Sequence, residues 1–418
     1  MSHPIVALRR AAVLLNGGTP TPAETNWGGG VPWATPVDLG ANHGSWLSTT
    51  LRTLTKVGVE TGSAVAPARS VLLSTRAPIG YVAINEVPMA FNQGCKAAIP
   101  RHGVDARFLS YALVQAGDQM SLLGQGSTFL ELSTSALASI RISLPSEQTE
   151  QRQIAEYLDR ETRQIDVLVT KQEQLVEALT ERRQAVIAHA VTRGLDPLIE
   201  LKDSATKWWG KIPVHWSISG LKHLVSIPIT DGPHETPTFL DDGIEFISAS
   251  AISDGFVNFD KRRGYISAED HALYSMKYSP RLHDILMIKS GATTGISAIL
   301  TEDRDFSIWS PLAALRSNSR ANPFFVHFAI QSQAFQRALA LAWTFGTQQN
   351  IGMSSIGDLQ IPIPPKSEQD QIALNIQERT SKIDALSAKA LEVIEVLKER
   401  RQSLISAAVT GKIDVRGL

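Results

Sequence analysis

The chain has 418 residues, 43% of them hydrophobic, with 40 Lys and Arg set against 41 Asp and Glu. That length exceeds one ordinary domain and predicts two or three. A formal net charge of −1 excludes a generic polyanion binder and leaves any nucleic-acid contact to local basic patches. No apolar run reaches the roughly eighteen residues that would span a membrane. The N-terminal stretch carries Arg9 and Arg10 inside its apolar run and does not read as a secretory signal. One cysteine, Cys95, cannot form an internal disulfide and fits a reducing cytoplasm. It reads as a buried thiol, not a nucleophile.

Residues 1–145 read as a loop-rich mixed α/β domain. The segment 16–36 (NGGTPTPAETNWGGGVPWATP) is dominated by turn formers and is expected to be loop. Residues 70–85 read as strand, tight turn and strand, with Arg76, Pro78 and Gly80 in the turn. Helical spacing runs through Phe108, Leu109, Ala112 and Leu113, and a short strand is expected over 138–144.

Residues 146–196 form the first of two long helices. The block 150–196 aligns without a gap on 368–414 at one constant offset of 218 residues. A period that long marks two copies of one unit, not a solenoid. In the first block Ile154, Leu158, Ile165, Leu168, Leu175, Leu179 and Val186 fall on steps of three and four or their multiples. In the second, Ile372, Ile376, Ile383, Leu386, Val393, Leu397 and Leu404 do the same. That is a coiled-coil seam. About 40 residues at 1.5 Å each predict a rod of roughly 60 Å. Packing the two rods on each other is the simplest way to cover both seams. Ser367 with Asp370 reads as a cap for the second rod, and Gly194 and Gly411 as stops.

Residues 197–365 comprise an aromatic linker and a second mixed domain, and 366–418 the second long helix and tail. Strands are expected over 244–252, 284–289 and 359–363, and a helix over 323–341. The second domain repeats the order of the first, with DILMIKSGATTG standing where the first has SVLLSTRAPIG.

Catalytic motifs are not found. There is no GxxxxGK[ST] loop, and the histidines lack CxxC or HExxH partners, so neither a phosphate cradle nor a metal site is expected. Asn322-Pro323-Phe324-Phe325 resembles the loop with which adenine methyltransferases hold a flipped base, but lacks its second proline. Glu200-Leu201-Lys202 resembles the end of a nuclease motif, but has no suitable upstream carboxylate. Binding residues are better represented. Candidates for DNA contact are Arg69, Thr75, Arg76, Gln93, Gln125, Ser127 and Thr128 in the first domain. In the second they are His234, Thr236, Lys289, Ser290, Thr293, Thr294, Thr347, Gln348 and Gln349. Arg and Lys match guanine edges or phosphates, and Gln matches adenine. Each of these side chains has a blander use in satisfying its own turn.

The duplicated rod with its ERRQ…AVT endings resembles the specificity subunits of type I restriction–modification systems. So do its lead-ins LPSEQTEQRQI and IPPKSEQDQI, the linker KDSATKWWGKIPVHW, and LLSTRAPIGYVAI, FNQGCKAAI, DGPHETPTF, SGATTG and GTQQNIGM. One departure is that the first domain lacks the Pro-x-x-Trp that the second has in Pro213 and Trp216.

The resemblance implies an α+β chain: two target-recognition domains separated by two long helices packed as an antiparallel coiled coil, with a pseudo-twofold repeat. Each domain would read half of a split, asymmetric site in double-stranded DNA. The helices would act as ruler and as docking surface for two methyltransferase subunits that methylate adenine N6. This chain would bind no cofactor. S-adenosylmethionine would belong to the methyltransferase subunits, and ATP and Mg to two restriction subunits where present. Two alternatives are a recognition module of another DNA-modifying system and a self-contained methyltransferase or nuclease built around Asn322. On the ruler reading, inserting one helical turn of about 5.4 Å into a rod should lengthen the spacer by about one or two base pairs of 3.4 Å. Mapping the methylated motif of the insertion variant checks this; altered half-sites with an unchanged gap would contradict it.

Overall fold

The computed structural model describes residues 3–124, 131–253, 255–342 and 350–415. The chain divides into two compact units, Met1–Glu173 with Leu391–Leu418, and Gln174–Ala390. Each long helix contributes one part to each unit.

In the first unit a five-stranded sheet runs in the order Ala12–Asn16, Cys95–Pro100, Val71–Ser74, Val82–Asn85, Ser45–Leu47. Val71, Leu73, Val82, Ile84 and Ala98 pack with the buried face of the helix Ala106–Gln115. Asp105 caps that helix by accepting from the backbone N–H groups of Arg107 and Phe108. A smaller sheet has the order Thr53–Leu54, Trp27–Ala34, Met89–Phe91, Ala64–Ala66. Its second strand corrects the loop expected over 16–36. Pairing with neighbours on both sides overrides the local turn chemistry, and Trp33 is buried.

The second unit repeats this plan. Thr230–Asp231, Leu312–Leu315, Ile285–Ile288 and Ser297–Ile299 take the places of the first four strands, in the same order. Gly264–Ile266, Ile244–Ile247 and Phe306–Ile308 copy the first three strands of the smaller sheet, the middle strand again pairing antiparallel on one side and parallel on the other. The helix expected over 323–341 is two helices, Pro323–Gln331 and Gln333–Leu341. Ser332 lies between them in an extended conformation, its hydroxyl accepting from Phe335 N–H. The aromatic linker holds a hairpin, Leu201–Asp203 against Lys211–Pro213.

The long helices span Gln148–Arg193 and Lys366–Val409. Gly194 and Gly411 follow them with φ of 75° and 73°, left-handed backbone that glycine adopts without strain. The expected Ser367 cap is corrected: the helix already includes Lys366 and Ser367, and Pro365 O accepts from Glu368 and Gln369 N–H.

Within the first unit Ile154, Ala155 and Leu158 share a core with Ile405, Ala408 and Val409. Arg401 Nε donates to Asp166 Oδ1 at 2.9 Å. In the second, Ile187, Ala190 and Val191 share a core with Ile372, Ala373 and Ile376, Leu179 and Val186 meet Ile383, and Arg183 Nε donates to Asp384 Oδ1 at 3.0 Å. In each unit, rising numbers on one helix meet falling numbers on the other, so the helices run antiparallel. Both Arg–Asp pairs occupy the same positions of the 218-residue repeat.

The seam departs from the expected one. Ile154, Leu158, Ile165, Leu179, Ile372, Ile376 and Ile383 are buried and Leu397 is half-buried, but Leu168, Leu175, Leu386 and Val393 are exposed. A helix with 3.6 residues per turn drifts by about 20° per heptad from a 3.5-residue stripe. Val186, also expected in the seam, is buried, and elsewhere burial passes to Ile187, Ala390 and Ile394.

Each helix is tied to its unit by a glutamine. Gln369 is fully buried. Its Nε2 donates to Pro364 O and Arg320 O at 2.9 and 3.0 Å, and its Oε1 accepts from Asn322 N–H at 2.8 Å. Gln151 repeats this with Pro145 O, Gly103 O and Asp105 N–H at 2.9, 3.1 and 2.7 Å. Each buried group left unpaired costs about 1–3 kcal/mol. Gln369→Leu should therefore destabilise the second unit by ~2–4 kcal/mol, read as a lowered urea midpoint. A loss under ~1 kcal/mol would mean that water replaces the amide.

Candidate nucleic-acid interface

Of the sequence-derived candidates, Gln125, Ser127, Thr128, Thr347, Gln348 and Gln349 lie outside the described residues. The structure gathers most of the remainder at one end of each larger sheet.

In the first unit the turn after Val71–Ser74 brings Thr75, Arg76 and Gln93 together. Thr75 is buried, and both its N–H and its hydroxyl donate to Gly94 O, at 2.8 and 3.2 Å. Arg76 Nε donates to Glu131 at 3.1 Å, and exposed Gln93 accepts from the Thr19 hydroxyl. Arg69 stands apart, beyond the other end of the strand, with φ 65°. Lys96, which sequence reasoning passed over, donates to Asn16 Oδ1 at 2.9 Å. Burial lowers its pKa; Glu131 opposes this and Arg76 reinforces it.

The second unit places an acid where the first has Asn16. Asp231 pairs with Ala313 across the sheet as Asn16 pairs with Lys96, and glycine follows both. A Cβ on Gly17 would lie 2.1 Å from Asn92 O, and one on Gly232 1.8 Å from Ile308 O. The backbone passes too close there for any side chain.

Asp231 is 1% exposed and faces two lysines, Lys277 at 2.5 Å and Lys289 at 3.2 Å, and the imidazole of His234 at 3.1 Å. Burial alone would raise its carboxyl, but hydrogen bonds and charge from Lys277 and Lys289 outweigh that and hold it below the usual carboxylate range. Lys289 is buried against it, Lys277 is half-exposed and His234 exposed. Thr236 is also exposed.

Beside the cluster opens a pocket of about 500 Å³, lined by Pro233, Glu235, Tyr274 and Tyr278 among others. Ser290 is half-buried in a bridge with Asn350. Thr293 is exposed, and Thr294 is buried with its hydroxyl donating to Gly291 O at 2.7 Å. Lys277 and Asp231 are 46 residues apart, and no local pattern links them.

The two motif-like segments have structural uses. Asn322 Oδ1 accepts from Phe325 N–H at 3.0 Å, and its Nδ2 donates to Asp370 at 2.6 Å. The residue is a helix cap tied to the long helix. Glu200-Leu201-Lys202 lies in and beside the hairpin strand Leu201–Asp203. Cys95 is buried, and burial with Asp38 nearby pushes its thiol up to about 12. Among the described residues, no group of three or more His, Cys, Asp or Glu could hold a metal. Among them too, no helix is long and apolar enough to cross a membrane.

Two like units, each with a polar sheet end and each tied to paired long helices, define a tandem specificity architecture. A family profile for the type I restriction modification DNA specificity domain matches residues 12–177 and again 215–396. The chain belongs to that family. It is 37% identical over 140 residues to the type I restriction enzyme MjaIX specificity subunit of Methanocaldococcus jannaschii, a match covering 32% of each chain. It is 27% identical over 336 residues to the EcoBI specificity subunit of Escherichia coli, covering 78% of this chain and 70% of that one. The fold matches a chain solved in work on complex assembly and conformational transition of the type I R-M system. There the TM-score is 0.74 at 16% identity, covering 99% of this chain and 98% of that one.

The Asp231 cluster makes a stability prediction. Asp231→Asn leaves buried Lys289 without its counter-charge and should cost ~3 kcal/mol at neutral pH. A depressed carboxyl stabilises above its unfolded pKa of about 3.9, and that contribution is lost as pH falls through the lower folded value. The gap between wild type and variant should therefore close below about pH 4. Urea unfolding across pH checks this; a gap independent of pH would contradict it.

Proposed function

We propose that this chain is the sequence-reading subunit of a type I restriction–modification complex and does no chemistry itself. The observation that carries the reading is the duplication. Two units repeat the same sheet order, the same glutamine tie and the same Arg–Asp pair, yet differ at the sheet ends, with Asn16 and Lys96 in one and Asp231, Lys277 and Lys289 in the other. Equal frames with unequal ends suit two different half-sites in one stretch of double-stranded DNA. Near-zero net charge fits a subunit whose partners supply much of the phosphate affinity.

On this reading the chain works in the cytoplasm with two methyltransferase subunits, which bring S-adenosylmethionine and modify adenine N6. Restriction subunits that use ATP and Mg join where the system has them. The structural use of Asn322 supports assigning the methyl transfer to a partner.

The test is to co-express the chain with the methyltransferase encoded beside it and map N6-methyladenine across the host genome. A split motif with a fixed gap, methylated only when both proteins are present, is expected. A continuous motif, or methylation by this chain alone, would contradict the reading.

A further inference from the structure

Each unit also carries an arginine that lies over two aromatic rings at the same corner of its smaller sheet. In the first unit Arg52 immediately precedes the strand Thr53–Leu54, which pairs antiparallel with Trp27–Ala34. Its guanidinium carbon lies 3.6 Å from the ring centroid of Trp27 and 5.4 Å from that of Trp33. In the second unit Arg263 immediately precedes Gly264–Ile266, which pairs antiparallel with Ile244–Ile247. It lies 4.0 Å from the ring centroid of Trp309 and 5.7 Å from that of Phe239.

The rings are themselves fixed. Trp27 and Trp33 meet edge to face at 5.0 Å, and their indole N–H groups donate to Thr21 O and Gly18 O. Trp309 donates to Glu235 O. Thr21 and Gly18 belong to the segment that follows Asn16, and Glu235 and Phe239 to the one that follows Asp231. Each arginine therefore stands beside the sheet end already described.

What sets the two apart from the other described arginines that lie over a ring is charge. Arg304 and Arg262 lie 2.7 and 3.6 Å from Glu245, Arg316 lies 2.7 Å from Asp284, Arg107 lies 2.6 Å from Asp159 and Arg160 lies 3.1 Å from Glu161. Among the described residues, Arg52 and Arg263 have ring faces but no carboxylate within salt-bridge distance. A guanidinium held by its face over a ring keeps its N–H donors, and orienting it beforehand removes much of the entropy cost of using them.

Building on the DNA-reading function, we propose that Arg52 and Arg263 are the principal DNA contacts of their units. Each presents its donor fork to a pair of acceptors: the O6 and N7 of a guanine, or two phosphate oxygens. The rings act as shelves that set the angle of the fork.

The test uses the co-expressed complex with Arg52→Ala, Arg263→Ala and the two Lys variants, and a duplex carrying the motif that wild type methylates. Each Ala variant should bind that duplex ~10- to 100-fold more weakly, the size of one lost bidentate contact. The Arg52 and Arg263 variants should disturb opposite half-sites of the methylation motif if the acceptor is a guanine. In that case one base position of the motif relaxes in the Ala variant. If the acceptors are phosphates, Lys recovers most of the affinity, the motif is unchanged and the salt dependence of Ala falls by about one counterion. Should an Ala variant lower the melting temperature, the matching Lys variant, which keeps the charge over the rings, carries the comparison. Folded variants that bind and methylate as wild type does would overturn this assignment alone. A wild-type complex with no sequence preference would sink the underlying function and this inference with it.

Discussion

Neither long helix can be stable alone, and the structure is arranged around that constraint. Each buries a narrow apolar stripe and shows water a surface of Glu, Lys, Gln and Arg. Burying one Ile, Leu or Val side chain contributes about 1.5–3 kcal/mol, so the stripe is worth enough to hold the helices only if something covers it along its length. In each unit the cover comes from two sources: the other helix, and the mixed domain whose core the helix enters. Ile154 and Leu158 lie in one cluster with strand and helix residues such as Ile142 and Phe108, and Ile372 and Ile376 in another with Phe325 and Ile361.

A strand that leads directly into a long helix must be anchored, and in both units a short antiparallel partner anchors it. Arg141–Ser143 pairs with Ile5–Ala7, and Gln360–Ile363 with Ser217–Gly220. The first unit keeps this pairing although it lacks the tryptophan that the second has in Trp216. His3 lies 3.8 Å from Glu150, as His215 lies 2.8 Å from Glu368 at the equivalent place. The strand pairing, and not the indole, is the common requirement.

The duplication, the long helices and the alternation of domain and helix were legible because they rest on repeated identity and on spacing, which local sequence carries directly. What escaped depends on contacts distant in the chain. Trp27–Ala34 is written in turn formers and becomes strand only because Thr53–Leu54 and Met89–Phe91 lie on either side. Leu168 and Leu386 fit a heptad on paper, but 3.6 residues per turn carry them off the buried stripe. Gln151 and Gln369 look like any solvated glutamine on a helix until Asp105 and Asn322 are seen above them. Thr75 and Thr294 were legible as polar loop residues, but the turns themselves use their hydroxyls. Lys277, Arg52 and Arg263 gave no local signal, because what distinguishes them is the company they keep in space.

The two glutamines have a consequence for how such a chain can change. Every bond they make to the domain above them is to a backbone N–H or C=O. Substitutions elsewhere in the domain leave those atoms unaltered, so the joint works as a standard socket into which differently worded modules can be fitted. Two modules with little wording in common already sit in identical sockets within this one molecule. The surface that meets a target is thereby free to diverge, while the fitting beneath it stays the same.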